Sequence, residues 1–288
     1  MKQIQWYPGH MAKTKRLLQE NLSLVDVVVE MADARIPKSS INPDFDVLLS
    51  KKPRIIAFNK SDLADPEKSA LWKKYFQEQG IPSEFIDCKT GKGIQELFNL
   101  IKKTVEPVLQ KDLQKGRVFR LIKVMVTGIP NTGKSTFINR VAKNAATKTG
   151  NKPGITKGKQ WVRANREMMI LDTPGILWPK FEDEETAVNL AFTGAISDDI
   201  LDLYEISCEL LRRLGRMYPN AVSRRYNLEF DRNQNVHLPD LIAAAKGCLK
   251  KGGEPDYDRV SKMVLDDFRA GRFGKITLEM PEDRGDAL

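Results

Sequence analysis

The sequence predicts an α/β fold: a mainly parallel sheet with helices on both faces over residues 1–178, followed by a smaller, mostly helical domain over 179–288. Three observations carry this. Short apolar runs rich in Val and Ile alternate with segments of helical spacing, the pattern of βαβ units. Several of those runs end abruptly in polar or Gly-rich turns. Beyond about Trp178 the strand pattern stops and only helical spacing remains.

In chain order, Leu24 to Met31 reads as a buried strand ending at Asp33-Ala34-Arg35, and Arg54 to Phe58 as a second strand running into Asn59-Lys60-Ser61-Asp62. A helix is expected from Pro66 to Gln79, closed by Gly80. Glu84 to Ile86 is a short strand. Gly93 to Val105 is an amphipathic helix with Ile94, Leu97, Phe98 and Ile101 on one face, and a polar linker is expected around Gln110 to Gly116. Leu121 to Val126 then leads into a Gly-rich turn at 128–135 that opens a helix. Gln160 to Arg163 and Met168 to Leu171 complete the strands. In the second domain, helical spacing runs over 199–217, 238–249 and 257–268, and Lys275 to Glu279 is the one stretch with a strand-like pattern.

The 288 residues bear a net charge of +9, unevenly spread. Residues 1–177 hold 31 Lys/Arg against 17 Asp/Glu, residues 178–288 hold 16 against 21, and residues 113–166 hold 13 basic side chains and no acidic one. An acid-free stretch of that length is either a solvated surface with a few phosphate ligands or a face for a polyanion such as RNA. Cys88, Cys208 and Cys248 lie far apart with no metal-ligand spacing, which argues against zinc and disulfides and suits a reducing compartment. No apolar run is long enough to span a bilayer, so a cytoplasmic protein with no membrane partner is expected.

Five short segments carry chemistry. Gly128-Ile129-Pro130-Asn131-Thr132-Gly133-Lys134-Ser135 fits G-x-x-x-x-G-K-[ST] between a strand and a helix, where backbone N–H groups close around phosphate oxygens. Lys134 should reach the β- and γ-phosphates and the Ser135 hydroxyl should ligate Mg²⁺, with Asn131, Thr132, Gly133 and Thr136 lining the same loop. Asp172-Thr173-Pro174-Gly175, 38 residues after Lys134, fits D-x-x-G: a carboxylate near the Mg²⁺ shell and the Gly175 N–H near the γ-phosphate. Between them Thr156 is the natural switch threonine, touching metal and γ-phosphate, an assignment that rests on its neighbours. Asn59-Lys60-Ser61-Asp62 fits N-K-x-D. The Asp62 carboxylate can accept both N1–H and N2–H₂ of guanine, donors that adenine lacks. Asn59 can bond the base and brace the phosphate loop, the Lys60 stem can lie on the ring, and Cys88-Lys89-Thr90 is placed to cover guanine O6.

With these residues in view the chain resembles the translation-factor-like GTPases, but with their motifs in the order 4-5-1-2-3. That order, together with Trp6-Tyr7-Pro8-Gly9-His10-Met11 and the helical C-terminal part, resembles the circularly permuted GTPases of the YlqF/RbgA family along the whole length. The permutation is tolerable because the ends of a compact α/β domain lie at its surface. The resemblance implies a P-loop GTPase domain binding GTP/GDP with Mg²⁺ held by Ser135, Thr156 and Asp172. It also implies a monomer that binds the precursor of the large ribosomal subunit, its rRNA and proteins, in the GTP form and leaves after hydrolysis, with a low intrinsic rate that the subunit stimulates. The alternative is a GTP-dependent RNA-associated or signalling switch not dedicated to that subunit.

Two residues depart from the common GTPase pattern. Ile176 stands where many members have a water-positioning Gln. Asn131 resembles the residue that helps hold K⁺ in cation-activated members, or it simply stabilises the turn. His10, one of two histidines, either takes the water-positioning role left by Ile176 or packs in its turn or against the ribosome. In the helical domain, Arg212, Arg213, Arg216, Arg224, Arg225, Lys246, Lys250 and Lys251 are candidate RNA contacts, or a solvated face.

Overall fold

A strand that is apolar along its whole length needs cover on both faces, and β1 (Val27–Asp33) is buried at every position. A computed structural model describes residues 10–114, 116, 120–149, 161–178, 183–229 and 237–281 of the chain, with only the backbone for 10–15 and 144–149. From the start, α1 (His10–Leu22) precedes β1, which is followed by α2 (Asp44–Leu48), β2 (Arg54–Asn59), α3 (Pro66–Glu78), β3 (Ser83–Phe85) and α4 (Ile94–Gln114). Then come β4 (Ile122–Gly128), α5 (Lys134–Thr149), β5 (Trp161–Arg163) and β6 (Met168–Asp172). The remainder is helical: α6 (Glu184–Phe192), a short 3-10 turn Asp198–Ile200, α7 (Leu203–Met217), α8 (Ala221–Tyr226), α9 (Leu238–Lys246) and α10 (Tyr257–Arg269).

The strands form one six-stranded sheet in the order β3-β2-β1-β4-β6-β5, parallel except for β5 against β6. The side chains of one face, Val27, Val29, Met31, Val124 and Val126, pack with Leu97, Ile101 and Val105 of α4 and Phe137 and Val141 of α5. On the other face Ile56 and Phe58 meet Trp72 and Phe76 of α3. Asp65 caps α3 by accepting from the N–H groups of Glu67 and Lys68, with Pro66 at its first position. This is the α/β architecture the sequence predicts.

Contacts divide the described residues into two compact units. One holds those up to Trp178 together with 279–281, and the other holds 183–278. The second unit packs Ile206, Leu210 and Leu214 of α7 with Val222 and Tyr226 of α8, Ile242 of α9 and Val260, Val264 and Phe268 of α10 among its buried residues. Among the described residues no helix is long and apolar enough to cross a membrane.

Two expectations are corrected. α4 runs through Pro107 to Gln114, so most of the expected linker at 110–116 is helix. Lys275 to Glu279 is not a strand. Ile276 and Leu278 are buried, but the Thr277 N–H and carbonyl are both taken by the Tyr218 hydroxyl, at 3.0 Å each. A side chain supplies there what a neighbouring strand would.

Candidate nucleotide-binding site

In an open parallel sheet a ligand site forms beyond the carboxyl ends of the strands, where the strand order reverses. Here the reversal lies between β1 and β4, whose sequence successors run outward in opposite directions. The strand ends there carry Asp33, Asn59, Gly128 and Asp172, which gathers the N-K-x-D, phosphate-loop and D-x-x-G segments at one edge of the sheet.

The phosphate loop is held by close backbone approach. Gly128 has φ +138°, and a Cβ there would lie 2.3 Å from the Met31 carbonyl oxygen of the neighbouring strand. Gly133 has φ +93°, and its Cβ would lie 2.2 Å from Asn59 Nδ2, so neither position admits a side chain. Asn131 is left-handed at φ +61°, a conformation that Asn tolerates better than most residues. Thr132 is buried and donates to the Ile129 carbonyl at 3.0 Å. Lys134 Nζ donates to the carbonyls of Ile129 at 2.6 Å and Gly128 at 3.1 Å. Burial lowers its pKa to about 8 against the pull of Asp172, so a phosphate oxygen would strengthen its charged form. Ser135 and Thr136 are exposed in the first turn of α5, where the helix dipole favours an anion.

One residue joins the two halves of the site. Asn59 donates from Nδ2 to the Thr132 carbonyl at 2.8 Å and accepts on Oδ1 from the Cys88 N–H at 3.0 Å. The phosphate loop and the 88–90 loop are thereby clasped by the first residue of N-K-x-D. Lys60, left-handed at φ +63°, donates to Asp33 Oδ2 at 2.8 Å. The Arg35 guanidinium grips the same carboxylate at 2.9 and 2.8 Å. Burial pushes the Asp33 carboxyl up, but Arg35 and Lys60 outweigh it and hold the group well below the usual range. Lys60 is thus fixed beside the place where its stem is expected to meet the base. Asp62 is half-buried in the same turn. In the 88–90 loop, the Lys89 N–H and Thr90 hydroxyl bond Asp87 at 2.7 and 2.5 Å, and Arg140 of α5 donates to the carbonyls of Lys89 and Thr90. The Cys88 thiol is buried and pushed up to about 12, which makes it inert filling.

The D-x-x-G segment closes the site. Burial raises the Asp172 pKa against Lys134 and the Thr173 N–H, and Thr173 donates to the Val126 carbonyl at 2.7 Å. A Cβ on Gly175 would lie 2.9 Å from Lys134 Nζ and 3.1 Å from Pro130 N, so this glycine sits against the phosphate loop. Ile176 is buried, with its N–H bonded to the Gly128 carbonyl at 3.1 Å and its own carbonyl taken by Asn42 Nδ2 at 3.2 Å.

Thr156 lies outside the described residues, as does the side chain of His10, whose backbone opens α1. The candidate RNA residues divide. Arg212 and Arg213 both bond Glu209 and together hold its carboxyl at about 2, and Arg225 is spent on the buried Asp267. Arg216, Lys250 and Lys251 are exposed. Sequence reasoning missed Asp33, Arg35, Asn42 and Arg140 as parts of the site. Asp33-Ala34-Arg35 gave a usable signal, opposite charges two apart at the end of an apolar strand; Asn42 and Arg140 gave none.

Residues 123–215 match the family described as 50S ribosome-binding GTPase. The chain is 45% identical over 285 residues to ribosome biogenesis GTPase A of Bacillus cereus, covering 99% of this chain and 96% of that one. It is 44% identical to the protein of the same name from Bacillus licheniformis over 280 residues, covering 97% and 99%. A solved structure of GNP-bound YlqF from T. maritima superposes with a TM-score of 0.63 at 30% identity, covering 94% of this chain and 99% of the other.

Proposed function

The chain belongs to the ribosome biogenesis GTPase A family, and from that premise we infer how its residues bind GTP, hydrolyse it and turn hydrolysis into release. It is a GTP hydrolase of ribosome assembly. Its target is the precursor of the large subunit, bound in the GTP form and left after hydrolysis. The observation that best supports the nucleotide side of this reading is the Asn59 clasp, and the ribosomal target rests on the likeness to the ribosome biogenesis GTPases. One side chain ties the phosphate loop to the loop over the base, so base identity and phosphate occupancy are read by a single connected unit.

In the reaction, Lys134 balances charge on the β- and γ-phosphates, and the N–H groups of the loop cradle the oxygens. Ser135, Thr156 and Asp172 would hold Mg²⁺, which would offset negative charge on the phosphate oxygens. Ser135 is exposed in the first turn of α5 and Asp172 is half-buried at the end of β6, hard oxygen donors of the kind that ion takes. The Asp62 carboxylate reads guanine, with the 88–90 loop over O6. Asn131 would help hold a K⁺ ion, which would offset charge developing on the phosphates in hydrolysis. Hydrolysis should therefore run faster in KCl than in NaCl at equal ionic strength, and equal rates would leave Asn131 with its turn alone. The buried Ile176 cannot orient water, and His10 takes that role.

Co-sedimentation with mature and immature subunits tests the whole reading. A non-hydrolysable GTP analogue should carry the protein down with immature large subunits, and GDP should not. His10→Ala should sediment normally with the analogue yet lose most of the subunit-stimulated hydrolysis. Sedimentation independent of the nucleotide would break the link between hydrolysis and release.

A further inference from the structure

Asn42 lies in the loop between β1 and α2, far in sequence from the phosphate motifs, yet it is fully buried and each of its polar groups is committed. Its N–H donates to Glu30 Oε1 on β1 at 2.8 Å, and its Oδ1 accepts from the Asp44 N–H at 3.0 Å. That leaves Nδ2 as the only side-chain donor, aimed at the Ile176 carbonyl at 3.2 Å. The hydrogen-bond pattern fixes the amide orientation, because a flipped amide would set oxygen against the Ile176 carbonyl and N–H against N–H at Asp44. Ile176 is the residue directly after Asp172-Thr173-Pro174-Gly175, and its own N–H is bonded to Gly128 of the phosphate loop. Its backbone is therefore pinned from both sides, to the phosphate loop through N–H and to the β1–α2 loop through its carbonyl. The preceding Gly175 sits against Pro130 and Lys134 Nζ.

We propose that Asn42 is a positioning residue for γ-phosphate recognition: its amide latches the Ile176 carbonyl and so keeps the Gly175 N–H within reach of the phosphate that distinguishes GTP from GDP. The proposal rests on the reading of 172–175 as the γ-phosphate segment. The side chain of Ile176 has no part in the latch, which acts through main chain and so works whatever side chain follows Gly175. Glu30 is the footing. It bonds the Asn42 backbone from the centre of the sheet, so the latch is anchored to the strand that also carries Asp33.

The test compares affinities of the full chain for GDP and for a non-hydrolysable GTP analogue, before and after Asn42→Ala. Loss of one buried neutral hydrogen bond that matters only with the γ-phosphate present should weaken the analogue about fivefold more than GDP. Equal weakening of both nucleotides, or none, would overturn the proposal. If the unaltered chain discriminated neither nucleotide from ATP, the reading of the site would fall and the latch with it, a different result from equal weakening. Should Asn42→Ala fail to fold, the unaltered chain supplies the measurement: deuterium exchange of the Asn42 side-chain amide followed by NMR. Exchange should be slower with the analogue than with GDP, and identical exchange would sink the latch.

Discussion

At the carboxyl ends of β1 and β2, Asp33 is gripped by Arg35 and Lys60. In the helical unit, Asp267 is fully buried on α10 and gripped by Arg225 of α8, at 2.7 and 2.9 Å, and by Arg272 at 2.7 Å. Both are a buried carboxylate between two cations, but they are used differently. The first group is chained to loops that face the ligand edge, and through Lys60 it sets the geometry of the N-K-x-D turn. The second joins helix to helix and the turn after α10, within a unit that carries none of the motifs. The first sets the shape of a binding edge; the second fixes how helices pack. A buried ion pair tells little about function until its neighbours are known.

That contrast can be broken experimentally, and the largest effect belongs to the helical unit. Arg225→Ala takes two charge-assisted hydrogen bonds from the buried Asp267 and leaves Arg272 as its remaining arginine. At about 1.5–3 kcal/mol for a hydrogen bond to a charged group, it should cost on the order of 3–5 kcal/mol of stability in urea unfolding. GTP affinity measured below the transition should stay put. A matching fall in affinity would show that the two ionic groups are not separate in function.

The next effect is a pH dependence in the sheet. Burial raises the Glu30 pKa from 4.5 to about 7, against the opposing pulls of Arg54 and the Asn42 N–H. A carboxyl with a raised folded pKa binds more protons folded than unfolded, so stability falls as pH rises from the unfolded value through the folded one. Glu30→Gln, which keeps an oxygen for the Asn42 N–H, should remove this slope. It should gain on the order of 3 kcal/mol over the unaltered chain between about pH 4.5 and pH 8. Parallel stability–pH curves for the two proteins would mean that Arg54, 3.7 Å away, keeps Glu30 ionised throughout.

The smallest effect should be the most selective. Asp62→Asn should lose about 1.5–3 kcal/mol of GTP binding, because a charge-assisted contact to guanine is lost, and should gain xanthosine nucleotide, whose C2 oxygen accepts from the new amide. Unchanged GTP affinity would take Asp62 out of the base pocket and leave the Asp33 group without a base-reading turn to shape.

What the sequence disclosed follows the same division. β1, β2, β4 and β6 were legible because fully buried parallel strands are continuous apolar runs that stop at polar motifs, although β1 begins at Val27, three residues later than the apolar run suggests. α3 was legible from its cap and proline. α1, α2, α6 and α8 were not. α2 and α8 span 5 and 6 residues, too few for a period to show, and α6 buries Asn189 in the middle of its apolar face. α4 was cut short because Pro107 and the polar residues from Gln110 to Asp112 hide a helix that continues to Gln114. In the site, contiguous motifs were readable, since the chemistry of phosphate and guanine fixes residue types at fixed spacing. The clasp from Asn59 to Thr132, the Arg140 bonds to the 88–90 loop and the Asn42 latch span 73, 50 or 51, and 134 residues, and no local pattern encodes such contacts. The acid-free stretch also looked freer than it is. Arg120 is tied to Asp26 and Asp112, Arg140 to the 88–90 loop and Lys134 to the phosphate loop, so fewer basic groups remain for an outside polyanion than the composition implies.

The seam between β1 and β4 has a consequence for how the molecule comes into being. Every residue expected to read the base, from Asn59 to Thr90, precedes Ile122, and both the phosphate loop and the D-x-x-G segment follow it. A nascent chain therefore emerges with the N-K-x-D and 88–90 segments first. Its β1 edge waits with open hydrogen-bonding groups until β4 is made and zips against it over Val27 to Met31. Only then can Asn59 find Thr132. A chain severed between α4 and β4 would yield two fragments, each with three strands contiguous in the sheet and neither with a whole pocket, so guanine nucleotide should act as the reagent that welds them.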